Sequence, residues 1–95
     1  MSLFVLTCID RKGALDVRMA TRPAHLDYVG EHAGKMKLVG PLLDDEGGMA
    51  GSMFIMEAQD KAEVEAFAAN DPYALAGVFE RTEIRGFKVV RGTLG

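Results

Sequence analysis

Among its 95 residues the chain has one cysteine, three prolines and no tryptophan. A lone Cys8 cannot form an intramolecular disulfide, so nothing here reads as a stapled secreted scaffold. Its setting, Leu3-Phe4-Val5-Leu6-Thr7-Cys8-Ile9, is that of a buried strand, where a free thiol packs as a small hydrophobe. There is no run of basic residues, and the net charge is −3. Phosphate recognition needs clustered positive charge, so no nucleic acid is expected as the main partner. No apolar run approaches the roughly 20 residues of a membrane span. The amino-terminal run lacks a preceding basic region and stops at Asp10-Arg11-Lys12, which is not a signal-peptide layout. No membrane association is expected, and a reducing cytoplasm is the expected location. Only two histidines occur, His25 and His32. On one helix they stand about 10 Å apart along the axis. One ion cannot bind both directly, and no other ligand spacing exists, so no metal and no other cofactor is expected. With no repeats, linkers or low-complexity tracts, residues 1–95 read as one domain.

What is present is apolar patterning, 48% of residues, enough for a core and for a subunit interface. Residues 2–10 predict a strand that is apolar on both alternating faces, and hence covered on both sides. Leu15 to Thr21 predict a short helical turn. Pro23 then marks a first-turn position, opening a main helix from Arg22 to Ala33 with Leu26, Val29 and Ala33 on its apolar stripe and Gly34 as C-cap. Met36–Leu43 and Gly51–Ala58 read as a hairpin around Asp44-Asp45-Glu46-Gly47-Gly48, with irregular pairing at Gly40-Pro41. Asp60 and Glu63 form a capping box for a helix that buries Val64, Phe67 and Ala68. Asp71-Pro72 opens a short helix ending at Gly77, and Val78 to Val90 make a last strand. The order β-α-β-β-α-β predicts an α+β, ferredoxin-like fold: an antiparallel sheet with its helices on one face. The other sheet face is left bare, and a second copy of the chain is its simplest cover, so a homodimer is expected.

The acidic turn lacks the alternating ligands of a calcium loop and reads as solvated. Arg81, Glu83 and Arg85 alternate on the last strand as a solvated or interface-paired stripe, and Met49, Met53 and Met56 read as flexible core filling. Two residues stand out. His25 lies early in the main helix, away from the apolar direction, and reads either as a functional histidine or as a partly buried structural one. Asp71 before Pro72 reads as a helix cap whose second oxygen stays free to meet a histidine. A carboxylate beside an imidazole fixes the ring's tautomer and favours its protonated form, which is how a general acid or base is built.

Several short motifs in this order resemble the YciI-like family of YCII-related domains. They are Arg22-Pro23-Ala24-His25-Leu26, Gly40-Pro41-Leu42 before an acidic turn, Gly51-Ser52, and Asp71-Pro72-Tyr73 before Gly77. The resemblance spans residues 3–91. It implies a ferredoxin-like protomer in a dimeric α/β barrel, similar to muconolactone isomerases. It also implies an active site pairing His25 with Asp71, and activity on small ring-bearing molecules. On that reading the protein is a small cofactor-independent enzyme of lyase or isomerase type. His25 moves a proton, Asp71 orients it, and Arg22, Ser52 and Tyr73 are candidate substrate-binding residues. The rival reading is a non-catalytic ligand-binding or accessory dimerisation module.

Overall fold

The computed structural model describes residues 1–94. The strands are β1 (Ser2–Asp10), β2 (Met36–Leu43), β3 (Met49–Ala58) and β4 (Phe79–Phe87). The helices are α1 (Leu15–Glu31), α2 (Lys61–Asn70) and α3 (Pro72–Leu75). The sheet order is β2-β3-β1-β4, antiparallel throughout, so the α+β ferredoxin-like expectation holds. The apolar strands β1 and β3 lie in the centre, and β2, which carries Pro41, lies at an edge where a missing N–H costs no ladder bond.

Register sorts the two faces of the sheet. Leu6 stands opposite Phe54, and Cys8 opposite Ser52, on the face that the helices cover. There Leu6, Phe54 and Met56 close against Val64, Phe67 and Ala68 of α2. Asp60 caps α2 by accepting from the Glu63 N–H at 3.0 Å, and a Glu63 carboxylate oxygen accepts in turn from the Gln59 N–H, completing the capping box. The opposite face carries Leu3, Val5, Ile9, Met53 and Ile55, with Leu38 and Leu42 from β2 and the Arg81/Glu83/Arg85 stripe from β4.

The helix before β2 differs from expectation. Leu15 to Glu31 form one continuous helix of 17 residues, with Pro23 inside it rather than at its start. Proline removes the N–H that would bond the Met19 carbonyl, but Met19 and Pro23 both lie on the solvent side, where losing one helical hydrogen bond costs least. Leu26, expected on the buried stripe, is 49% exposed, and Ala33 is exposed too. The buried residues of α1 are Arg18 and His25. The helix ends at His32, and Gly34 falls within a following 3-10 turn, Ala33–Lys35, instead of capping it. Pairing at Gly40 and Pro41 is regular, with the irregularities on either side, between Met36 and Leu38 and between Leu42 and Leu43. The hairpin's second strand begins at Met49, and β4 ends at Phe87, short of Val90. Among the described residues no helix is long and apolar enough to cross a membrane.

Candidate active site

The helix α1 and the start of α3 meet over the β2–β3 end of the sheet, and there His25 reaches Asp71. The His25 Nδ1–H donates to Asp71 Oδ1 at 2.9 Å, with both side chains buried. The same oxygen accepts from the Tyr73 N–H at 2.9 Å, so Asp71 is at once the cap of α3 and the partner of His25. Pro72 presets the first turn beside it. The imidazole lies flat on the Tyr73 ring, centroids 4.0 Å apart and planes 17° apart, and meets Phe54 in a T-shaped arrangement with centroids 6.1 Å apart. Because Asp71 holds Nδ1–H, the nitrogen left for chemistry is Nε2.

A second polar cluster adjoins the first. Arg18 Nε donates to Asp10 Oδ2 at 2.7 Å and Nη2 donates to Asp10 Oδ1 at 3.0 Å, a bidentate pair. The same Nη2 donates to Ser52 Oγ at 2.8 Å. The guanidinium carbon sits 4.3 Å from the centre of the Tyr73 ring. Burial raises the Tyr73 phenol above its ordinary range while the cations Arg18 and Arg22 pull the other way, so the phenol keeps its proton at neutral pH. Cys8, beside Ser52 in the register, is buried and its thiol is pushed up to about 12, mainly by loss of solvent and secondarily by the charge of Asp71. Such a thiol is packing, not a nucleophile.

The two clusters share a cavity of about 140 Å³. Arg18, Arg22, His25, Ser52 and Tyr73 form its polar lining, and Leu26, Val29, Val39, Pro41 and Met49 its apolar one. All five sequence-predicted site residues, His25, Asp71, Arg22, Ser52 and Tyr73, therefore gather here, four on the wall and Asp71 directly behind it. Tyr73 and Ser52 are nearly sealed, so Tyr73 serves first as the floor under His25, and the Ser52 oxygen already accepts from Arg18. Arg22 is half-buried and makes no hydrogen bond or ion pair among the described residues, which leaves its charge at the rim. The sequence reasoning missed Arg18 and Asp10. The signal was there: Arg18, Arg22, His25 and Val29 recur at spacings of four, three and four, one face of a helix. Placing the helix start at Arg22, on the strength of Pro23, hid it.

His32 stands apart, its Nδ1–H on the Tyr28 carbonyl at 2.9 Å and its ring against Tyr28 and Phe67. Among the described residues no group of three or more His, Cys, Asp or Glu side chains is placed to hold a metal ion.

Residues 2–88 match the model of the YCII-related domain. Protein YciI of Escherichia coli O6:H1 is 33% identical over 96 residues, 93% of this chain and 98% of that one. Among solved structures, 5-chloro-2-hydroxyhydroquinone dehydrochlorinase (TftG) of Burkholderia phenoliruptrix, in complex with 2,5-dihydroxybenzoquinone, superimposes with a TM-score of 0.84. It is 38% identical, and the match covers 90% of this chain and 93% of that one. An antibiotic biosynthesis monooxygenase shares the fold alone, at a TM-score of 0.56 and 11% identity over 96% of this chain and 100% of that one. The chain belongs to the YCII-related domain family, and that family includes at least one enzyme acting on a small molecule.

Proposed function

With that family as premise, we propose that the protein is a cofactor-independent lyase or isomerase that moves a proton on a single small ring-bearing molecule. The observation that carries this reading is the His25–Asp71 pair on the wall of a cavity of about 140 Å³. A cavity of about 150 Å³ accepts benzene, so this volume suits one six-membered ring and little more. His25 Nε2 is the proton carrier, and Asp71 holds the other nitrogen protonated and stabilises the imidazolium that forms. As acid, Nε2–H delivers its proton to a ring carbon of an enolate: the C=C electron pair forms the new C–H bond and an oxygen lone pair closes the carbonyl. As base, Nε2 takes a hydroxyl proton; the O–H electron pair becomes a carbonyl bond. Where the hydroxyl sits on a ring C=C next to a tetrahedral carbon bearing chlorine, that C=C pair shifts to form a new double bond to the chlorine-bearing carbon, and the C–Cl electron pair leaves as chloride. The relationship to a dehydrochlorinase of hydroxylated rings supports that substrate class.

The apolar face around Val5, Met53, Ile55 and Leu38 supports a homodimer packed sheet to sheet as a dimeric α/β barrel. Sedimentation equilibrium should give a dimer at micromolar concentration, and a monomer there would overturn it.

The activity is tested with a panel of hydroxylated and chlorinated hydroquinones. Turnover is followed by quinone absorbance and chloride release, and binding by thermal shift. At least one compound should turn over in the wild type and fail in the His25→Gln variant. Turnover that survives intact in H25Q would sink the proton-carrier role.

A further inference from the structure

The cavity is sorted from floor to mouth. At the floor stand Arg18, His25, Ser52 and Tyr73, only 1–6% exposed. At the mouth stand Leu26, 49% exposed, and Val39, 38% exposed, with half-buried Met49 on the same cavity. This order reverses that of a surface built to meet water, which turns its polar groups outward. Register accounts for Val39. It pairs with Phe54, and Pro41 pairs with Ser52, so both residues of β2 point to the helix side of the sheet. Phe54 is fully covered there, yet Val39 beside it stays open. Leu26, the residue after His25 on α1, stays open too. Both hold out apolar surface at an entrance, and no described residue covers it.

We propose that Leu26, Val39 and Met49 set the specificity of this site by seating one small apolar substituent, a halogen or a methyl group, on the ring edge that points away from His25. This names the substrate class of the proton-transfer reading and rests on it. A volume of about 140 Å³ is filled by one six-membered ring. Polar groups in a pocket fix a ligand's orientation, so the ring turns its oxygens to the floor. Its far edge then stands at the mouth. A hydrogen on that edge leaves the three apolar side chains wet. A methyl or chlorine there removes apolar surface from water, worth about four-fold in affinity per buried methyl. A branched alkyl group is too wide for the space between α1 and β2. A carboxylate would give up water against Leu26 and Val39, and the half-buried Arg22 at the rim offsets little of that cost.

The test is binding by calorimetry under argon at pH 7, with ring probes that differ at one position. They are hydroquinone, methylhydroquinone, chlorohydroquinone, tert-butylhydroquinone and 2,5-dihydroxybenzoate. In the wild type the methyl and chloro probes should bind about four-fold tighter than hydroquinone. The tert-butyl and carboxylate probes should bind no tighter than hydroquinone. Leu26→Ser should erase most of the methyl advantage. Val39→Ala should open the seat, so that the tert-butyl probe overtakes the methyl one. Each comparison is a ratio within one protein, so a loss common to all probes cancels. The assignment is overturned if the wild type gains nothing from methyl or chlorine, or if L26S and V39A keep the wild-type order of probes. It is overturned as well if 2,5-dihydroxybenzoate binds tightest, which would give the mouth to Arg22 and an anionic substituent. The parent reading fails separately: there H25Q turns substrate over normally, whatever the order of the probes.

Discussion

Two helices cover the same sheet face and do so with opposite chemistry. α2 buries Val64, Phe67 and Ala68 against Leu6, Phe54 and Met56. α1, the longer of the two, fully buries only Arg18 and His25. The α2 side is an ordinary core, whose stabilisation grows with apolar area removed from water. The α1 side puts ionisable groups in the equivalent place and offsets their desolvation with Asp10, Ser52 and Asp71, each within hydrogen-bond distance. A long helix seated on charge is poor value for stability alone. On the proposed reading, the difference separates the half of the molecule shaped for folding from the half shaped for chemistry.

Changing Asp71 to Asn should break the comparison most sharply on the α1 side. Asn is also a good helix cap, so stability should fall by no more than about 1 kcal/mol. The amide no longer fixes the ring tautomer, and turnover should drop by about 10²-fold or more, read as kcat/KM beside the midpoint of a urea melt. Equal activity in the two proteins would reduce Asp71 to a cap. On the α2 side the effects should reverse. Phe67 stacks on Tyr28 and meets Phe54 edge-on, so Phe67→Ala should cost about 3–5 kcal/mol of stability. The surviving folded fraction should still bind 2,5-dihydroxybenzoquinone with wild-type affinity in calorimetry.

Smaller effects sharpen the picture. With its thiol pushed up to about 12, Cys8 should stay inert to a disulfide reagent at pH 8 and react only as fast as the chain unfolds. Fast labelling under native conditions would mean that the β1–β3 face of the site opens. Smallest is the Lys35–Glu63 pair at the α2 surface. Hydrogen bonds from Lys35 and the Gln59 N–H hold the Glu63 carboxyl below its ordinary 4.5. A depressed folded value makes the contribution fully present above pH 4.5 and lost as pH falls through the lower folded value. The wild-type advantage in melting temperature over Glu63→Gln should therefore vanish in acid and be constant near neutrality.

Much of this was legible in the chain itself. Element order follows from strand alternation and caps, and the β1–β3 pairing from two long apolar runs. His25 and Asp71 stood out because each sits beside a proline that marks a helix. Pro23 is also where the reading failed, since a proline tolerated on the wet side of a helix leaves the same trace as one that starts it. Splitting α1 there removed Arg18 from the face it shares with His25, and its pairing with Asp10 and Ser52 is a product of tertiary packing. Leu26 was misplaced because the inward face of α1 runs through Arg18, Arg22, His25 and Val29, and Leu26 lies to one side of it, 49% exposed.

A single oxygen of Asp71 answers to two masters, the backbone of α3 and the ring of His25. Few mutations can sample the two roles independently, Asp71→Asn being the one that keeps the cap. Most replacements at 71 uncap α3 before they can redirect the histidine, and the folding defect would remove them from a population first. On the proposed reading, new specificities in this scaffold should therefore arise by changing the rim, at Arg22, Leu26 or Met49, while the inner pair stays as it is.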